Sequence, residues 1–234
     1  MKKIFQTFFE KWPEYLLEIL VITIGILGAF TLNNWKERSN TQEQVRRSLQ
    51  NVISELEDDS VQFHYQQESS SQTLENLRNL LDVVLNPNSS TDSMEYFYHK
   101  SRSFILYVPQ NSSFQSMNQL GLLQYISNPD LLYQIQNYYT FTQPNVKILR
   151  DIEEQRFKEN MNTINTDPAI IMKEAGWDDL PLDYNEVKSI LQKPENFRKV
   201  YRYGKIQEYL ISRSEGYVST NAELLAMLRS YLKE

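Results

Sequence analysis

Tyr15 to Trp35 reads YLLEILVITIGILGAFTLNNW, an almost uninterrupted apolar run whose only charged residue is Glu18. At about 1.5 Å per residue, a helix of about 21 residues is roughly 30 Å long, which matches the hydrocarbon core of a bilayer. Tyr15 and Trp35 stand at the two ends, where aromatic side chains anchor a span in the membrane interface. The run therefore predicts a transmembrane helix over residues 13–36, with Pro13 at its start.

A cleaved signal peptide and a buried core helix are the alternatives for this run. A signal peptide has an apolar stretch of about 7–15 residues that ends in small residues at the cleavage site. Lys2 and Lys3 supply a basic start here, but the stretch is longer, and the small residues Gly28 and Ala29 lie inside it. We therefore expect an uncleaved signal-anchor.

Two features of the run suggest packing against a second membrane helix. Glu18 is a carboxylate in an apolar segment, where ionisable residues usually face a partner or a polar cavity. Gly25, Gly28 and Ala29 are small, and the Gly25–Ala29 spacing lets two helix backbones approach closely. For Glu18 we favour a place at the headgroup level, beside Lys11 and Glu14, and the alternative is a carboxylate that faces a partner helix.

The charges that flank the run are nearly balanced, so they do not fix the orientation by themselves. Long domains are exported largely regardless of their own charge, so the short N-terminal flank should dominate. We expect a cytoplasmic N-terminus in the inner membrane and a periplasmic or extracytoplasmic domain. Residues 1–12 are predicted to form a short amphipathic tail, because five apolar residues share one helical face: Ile4, Phe5, Phe8, Phe9 and Trp12.

The composition indicates a folded helical body beyond the span. Hydrophobic residues make up 41% of the chain, and 6 Gly in 234 residues is sparse for a turn-rich β fold. The absence of cysteine excludes a disulfide framework and a Cys-ligated metal. A formal charge of -6 gives no basic footprint, which argues against nucleic acid as a partner.

The apolar periodicity predicts an all-α fold, with a single N-terminal transmembrane helix followed by an antiparallel helical bundle. No Pro or Gly occurs between Ala29 and Asn86, so the span is expected to continue into the body unless the serine triplet 69–71 bends it. Predicted N-caps are Asp92 or Ser93, Ser112 or Ser113, and Ser127-Asn128 ahead of Pro129. The predicted body covers residues 37–234, with helices over 37–86, 93–104, 113–127, 129–160 (broken or kinked at Pro144) and 195–232, and an irregular stretch over 167–181 in which Trp177 fills a core.

Two stretches resemble a bacterial family of unknown function, domain of unknown function 6090. They are EILVITIGILGA at residues 18–29, leading to NNWKE at 33–37, and SMNQLGLLQYI at 116–126, followed by Leu131 and Tyr138-Tyr139. The chain departs from the family's usual residues at Lys36 and Gly28. The resemblance covers nearly the whole chain and implies a membrane-anchored helical protein, without an established activity or catalytic residues.

Residues suited to catalysis or metal binding are few. His64 and His99 are the only histidines, and neither has a Glu three residues before it, as a ferritin-like metal site requires. No P-loop, HExxH, GxSxG or dinucleotide-binding glycine motif occurs. We therefore expect no enzymatic activity, no cofactor and no metal. An acidic group near His64 is interpreted as a solvated helix face rather than a cation site: Glu55, Glu57, Asp58, Asp59 and Glu68.

Tyrosine is the one residue type in excess, with 15 in the chain. Tyr133, Tyr138 and Tyr139 lie close together and are candidate interface aromatics, because Tyr offers contact area and a hydrogen bond at low entropic cost. Tyr equally fills wide gaps between helices, with its hydroxyl at the rim. Gly121, inside a helical run, is interpreted as a point of close helix packing.

These features favour a non-enzymatic, membrane-anchored protein that acts through partners or self-association. The expected partners are the lipid bilayer, further copies of the chain, or other membrane or envelope proteins. An alternative is an extracytoplasmic module that senses a small ligand in the bundle core and signals through a partner. A third possibility is a metal-dependent hydrolase, which requires a divalent ion near His64.

Overall fold

The fold is all-α, as the periodicity predicts. A computed structural model describes residues 2–102, 105, 107–161 and 182–233, and between residues 2 and 15 it describes the backbone and the side chain of Trp12. The elements in these ranges are α1 (Lys2–Leu85), α2 (Thr91–Lys100), α3 (Ser112–Gln119), a 3-10 turn (Leu122–Tyr125), α4 (Pro129–Asn137), a π-helical segment (Tyr138–Thr142), α5 (Gln143–Asn160), α6 (Tyr184–Leu191) and α7 (Pro194–Tyr231).

Helix α1 runs without interruption over 84 residues, which corresponds to a length of about 126 Å. It contains Pro13, where the sequence predicts that the helix begins; a proline removes one backbone hydrogen bond, and the helix continues on both sides. The serine triplet 69–71 also lies inside α1. Ser71 Oγ donates to the carbonyl of Gln67 at 2.9 Å, so this hydroxyl is satisfied without ending the helix.

A short turn reverses the chain from α1 into α2. Ser90, rather than Asp92 or Ser93, is the N-cap of α2, because its Oγ accepts a hydrogen bond from Ser93 N at 3.1 Å. Helix α2 ends at Lys100. Phe104, the predicted end of this helix, lies outside the described residues.

The predicted helix over 113–127 is wrong beyond its first two turns. Helix α3 ends at Gln119, and Gly121 has a φ of 66°, a left-handed conformation that residues with a side chain rarely adopt. The chain then forms the 3-10 turn. Gly121 therefore ends a helix and turns the chain, which corrects its interpretation as a residue for close helix packing.

The predicted helix over 129–160 contains a change of helical register. Asn128 caps α4 as predicted, since its Oδ1 accepts from the backbone N–H groups of Asp130 and Leu131 at 3.0 Å each. The π-helical segment follows, with Gln143 N donating to the carbonyl of Tyr138. Pro144 has no N–H to offer to Thr140, so the wider register falls where the α-helical ladder already lacks a bond.

Helix α6 is absent from the sequence prediction. Asp183 caps it by accepting from Asn185 N at 2.9 Å, and Glu186 lies in its first turn. The spacing of Asp183 and Glu186 is a helix-start signal, but the element is only 8 residues long. Helix α7 begins at Pro194 and ends at Tyr231, where the sequence predicts 195–232. Trp177 lies outside the described residues.

Helices α1 and α7 are antiparallel and build the long axis of the body. Glu57 pairs with Arg229 at 2.6 Å, whereas Arg78, further along α1, pairs with Glu208, earlier in α7, at 3.0 Å. The core has three parts along this axis. The first joins Val45 through Leu56 to the C-terminal part of α7, the second surrounds Phe63, and the third joins Leu77 through Val84 to α2, α6 and the first half of α7.

Candidate functional site: a buried acidic and tyrosine network

Two carboxylates of α1, Glu55 and Asp59, lie inside the bundle with exposed fractions of 8% and 0%. This corrects their interpretation as part of a solvated acidic face. Glu57, Asp58 and Glu68 of the same predicted group are exposed. The signal was present in the sequence, because Glu55 and Asp59 continue the three- and four-residue spacing of the apolar stripe of α1.

Asp59 accepts three hydrogen bonds from side chains on three segments. Tyr107 OH donates to Oδ1 at 3.0 Å, and Tyr138 OH donates to Oδ2 at 2.7 Å. Gln143 Nε2 donates to Oδ2 at 3.1 Å and also to the carbonyl of Gln110 at 2.8 Å. Because buried polar groups need partners, these bonds offset the cost of burying this carboxylate.

Glu55 caps α3 from a distance. Its Oε1 accepts from Ser112 Oγ and from Ser113 N, both at 2.8 Å, and its Oε2 accepts from Tyr139 OH at 3.0 Å. Asn111, at the N-cap position, makes no side-chain cap bond. The predicted capping role of Ser112 or Ser113 is therefore taken by a carboxylate of another helix, which also complements the positive end of the α3 dipole.

The π-helical segment explains how Tyr138 and Tyr139, neighbours in sequence, both reach α1. Their rings are 5.3 Å apart at an interplanar angle of 81°, and each hydroxyl binds a different carboxylate of α1. Phe114 of α3 stacks on Tyr139 at 4.6 Å. Widened helical turns of this kind are frequent at sites where side chains have a specific function.

Helix α7 completes the network through Asn221. Its Nδ2 donates to the carbonyl of Leu56 at 3.0 Å and to Tyr138 OH at 3.1 Å. The network thus joins α1, α3, α5, α7, the π-helical segment and the stretch that carries Tyr107.

Burial dominates the electrostatics of the network. Desolvation raises the pKa of Asp59 above its ordinary value, the hydrogen bonds from Tyr138, Gln143 and Tyr107 lower it, and the charge of Glu55 raises it further. Desolvation and the nearby carboxylates also raise the pKa values of Tyr107, Tyr138 and Tyr139 far above the ordinary value, so these hydroxyls remain protonated donors. Among the residues that the structure describes, neither Glu55 nor Asp59 forms an ion pair with a basic side chain.

A second polar contact lies further along the bundle, between α5 and α7. Arg150 Nη1 pairs with Glu153 Oε2 at 2.8 Å, with both side chains almost fully buried. Gln207 Nε2 of α7 donates to Glu153 Oε1 at 2.9 Å. This site balances its charges internally, whereas the network at Asp59 consists of carboxylates and neutral donors.

The predicted candidate residues do not form one site. Tyr138 and Tyr139 are buried between the helices, and their hydroxyls bind carboxylates inside the bundle rather than lying at its rim or on an exposed interface. Tyr133 is 63% exposed. Glu18, Gly25, Gly28 and Ala29 lie on the exposed surface of α1, away from the network.

The two histidines also lie apart. His64 is exposed and contacts the carbonyl of Ser60, while His99 contacts Tyr184 OH at 2.7 Å. Within the described ranges, no group of three or more His, Cys, Asp and Glu side chains is placed to hold a metal ion. The carboxylate oxygens of Glu55 and Asp59 are already engaged as acceptors, whereas the buried Oδ1 of Asn221 has no hydrogen-bond partner among the described residues. The evident chemical role of the network is to hold the helices together.

No protein-family model, no curated protein and no solved structure matches the chain.

Proposed function

We propose that the protein is a single-pass, membrane-anchored helical bundle that acts without catalysis, through protein partners or through association with its own copies. The observation that carries the proposal is the exposure of the apolar run. Ile19, Ile22 and Ile26 expose 62%, 54% and 64% of their surface, and the apolar window of α1 is 0% buried. Apolar surface costs about 25 cal/mol per Å² in water, so a run of this size needs lipid or protein around it.

The length of the run supports lipid as the main cover. Among the described elements, α1 is the one helix long and apolar enough to cross a membrane. We infer a cytoplasmic N-terminus and an extracytoplasmic bundle, because the short N-terminal flank should set the orientation.

The small residues of the span support association with a second helix. A Cβ added at Gly25 or at Gly28 would have no atom within 4 Å, so this face of α1 is open in the single chain. Two backbones can approach closely at such a face, and the carboxylate of Glu18 gains from a polar partner in lipid.

The alternative of a ligand-sensing core receives less support from the packing. The cavity beside Phe63, Gln66 and Leu210, between α1 and its neighbours α5 and α7, measures only about 10 Å³. This is the space of a single water molecule, whereas ligand pockets occupy about 300–1,000 Å³. A cleft of about 530 Å³ beside Arg156, Arg202 and Lys205 falls in that range, but it opens at the surface among exposed charged side chains and not in the core.

Carbonate washing of membranes tests the anchor, and a reporter fused after Glu234 tests the orientation. We expect the chain to stay in the membrane fraction with its first residues intact. Recovery in the aqueous fraction, or a mature N-terminus beyond Phe30, would contradict the anchor. A signal from a reporter of the kind that works only in the cytoplasm would contradict the proposed orientation and leave the proposed anchor unaffected.

The mass of the detergent-solubilised protein tests association. We expect a stable oligomer or a co-purifying protein, and we expect Gly25→Leu combined with Ala29→Leu to shift the oligomer toward monomer. Thr23→Leu adds a leucine on the opposite face of the helix and is the matched control. A wild-type protein that remains a lone monomer, with no protein bound, would contradict the proposal.

A further inference from the structure

Charges are sorted along α1 in a way that the net charge of the chain conceals. Residues 36–47, which follow the apolar run directly, contain four Lys or Arg and two Glu, whereas residues 48–100 contain two Lys or Arg and nine Asp or Glu. The chain as a whole carries -6. The stretch of α1 nearest to the apolar run is therefore basic, and the rest of α1 together with α2 is acidic.

A groove of about 730 Å³ opens beside this basic stretch of α1. Its lining comes from the turns of α1 that follow the apolar run, from Tyr125 and Ser127 beyond α3, and from Tyr231 at the end of α7. Tyr231 OH lies 3.2 Å from Ser127 Oγ, which joins the two walls opposite α1. We call this feature the juxtamembrane groove.

Arg46 gives the groove an unneutralised positive charge. Glu43 also lines the groove, but Arg47 pairs with it at 2.9 Å. Arg46 forms no hydrogen bond or ion pair with any residue that the structure describes. Its guanidinium group is thus free to bind an anion, and the groove supplies hydroxyl and amide groups from Ser39, Asn40 and Tyr125 beside it.

The end of the groove nearest to the apolar run matches the depth of lipid headgroups. If Trp35 marks the membrane interface, Asn40 lies about 8 Å beyond it and Arg46 about 16 Å beyond it along the helix. Helical side chains lean toward the N-terminus of their helix, which here is the direction of the bilayer. The headgroup layer is roughly 5–8 Å thick on each side, so Asn40 lies at its outer edge. The long side chain of Arg46 extends back toward that edge without entering the layer.

From this geometry we propose that the juxtamembrane groove binds the phosphate headgroup of an anionic phospholipid in the leaflet that faces the bundle. The proposal rests on the membrane anchor proposed above. Lys36 and Arg38 attract the anionic surface, and Ser39 and Asn40 offer hydrogen-bond donors at headgroup depth. Arg46 attracts the phosphate from the outer edge of the headgroup layer, and Tyr125 contributes an amphipathic ring suited to the interface. Bound lipid would hold the end of the bundle close to the membrane.

Native mass spectrometry of the full chain in neutral detergent tests the proposal, with phosphatidylglycerol as the ligand and phosphatidylcholine and inorganic phosphate as the comparison ligands. We expect phosphatidylglycerol to bind more tightly than either. Arg46→Gln should weaken phosphatidylglycerol binding about five-fold, the usual effect of one basic residue at an anionic surface. Lys100→Gln removes an equal charge from an exposed position far along the body and should leave binding unchanged.

Each other outcome contradicts a defined part of the proposal. Equal binding of the two lipids, or an unchanged affinity in Arg46→Gln, would overturn the headgroup site. Inorganic phosphate that binds as tightly as the lipid would overturn the assignment to lipid. A chain that stays out of the micelles and in aqueous solution would instead refute the membrane anchor, so the two failures are distinguishable.

A second readout measures how close the lipid headgroups lie to the juxtamembrane groove. Because the chain contains no cysteine, Gln124→Cys can carry a single fluorophore beside Tyr125, and Asn88→Cys can carry one just past the far end of α1. In nanodiscs that contain phosphatidylglycerol and a headgroup spin label, we expect strong quenching at position 124, none at position 88, and less quenching at 124 in Arg46→Gln. Equal quenching at 124 and 88 would overturn the proposal.

Discussion

Asp59 is the residue at which the polar contacts of the interior converge. It is fully buried and accepts hydrogen bonds from Tyr107, Tyr138 and Gln143. A buried carboxylate without a basic partner is costly, since desolvation disfavours its charged form. The surrounding donors therefore stabilise the carboxylate, and they also depend on it for their own hydrogen bonds.

Asp59→Ala tests this dependence. The substitution leaves the buried hydroxyls of Tyr107 and Tyr138 without their acceptor, whereas Gln143 keeps its bond to the carbonyl of Gln110. We therefore expect the free energy of unfolding to fall by roughly 3 kcal/mol. Asp58→Ala, its exposed neighbour, is the matched control and should change stability by less than about 0.5 kcal/mol. Urea unfolding of the detergent-solubilised protein, followed by circular dichroism, measures both. Equal effects of the two substitutions would show that the hydrogen bonds to Asp59 do not contribute to the free energy of unfolding.

The raised pKa of Asp59 predicts a distinct dependence of stability on pH. Because the folded protein binds this proton more tightly than the unfolded chain does, the contribution of Asp59 to stability is fully present below its ordinary pKa. That contribution is lost as the pH rises through the raised pKa of the folded state. Other carboxylates act in the opposite direction: hydrogen bonds from Gln155 and Arg156 lower the pKa of Glu159.

The comparison of wild type with Asp59→Asn isolates this effect. Between pH 4 and neutrality, we expect the wild type to lose more stability, or gain less, than Asp59→Asn as the pH rises. Unfolding free energies measured across this range give the difference between the two slopes. A difference of zero or of the opposite sign would contradict a raised pKa at Asp59.

At the scale of the helices, apolar periodicity does not predict where a helix ends or changes register. Helix α3 ends because Gly121 adopts a left-handed conformation. The α4–α5 rod changes register just before Pro144. Helix α3 receives its cap from Glu55 of α1. Each of these features repositions a whole element, and the first two depend on a single residue.

Two glycine substitutions with opposite expected signs test the turn at Gly121. Gly121→Ala should lower the free energy of unfolding by about 1–2 kcal/mol, because its φ of 66° is unfavourable for a residue with a Cβ. Gly216→Ala should raise it by up to about 1 kcal/mol, because Gly216 lies inside α7 with no atom within 4 Å of an added Cβ. Thermal unfolding of the two variants gives both signs. Stabilisation by Gly121→Ala would refute the turn.

At the scale of the whole molecule, one helix joins the apolar run to the bundle. Helix α1 presents bare apolar surface over its first part and forms one side of a three-part core over the rest. The two parts of α1 form one helix with no break between them.

A distance measurement tests the continuity of α1. Spin labels at Gln42→Cys and Asp82→Cys, both exposed on α1, should lie about 60 Å apart, or slightly less if the helix curves gently. Double electron–electron resonance on the full chain in nanodiscs measures this distance. A distance well below about 50 Å would show that the serine triplet bends the helix, which the sequence alone leaves open.

The apolar run, the all-α class and the long stripes of α1 and α7 followed from the sequence because each depends on local spacing. The interior network did not follow, although Glu55 and Asp59 occupy positions in the apolar stripe. From local sequence alone, a charged residue is expected on the surface. The burial of Glu55 and Asp59 depends on hydrogen-bond donors from later in the chain, which are Tyr107, Tyr138, Tyr139 and Gln143. The sequence by itself thus determined which segments are helical and which one is apolar enough for a membrane. The tertiary structure alone decided which carboxylates are buried, because the donors to these carboxylates lie at least 48 residues away in the chain.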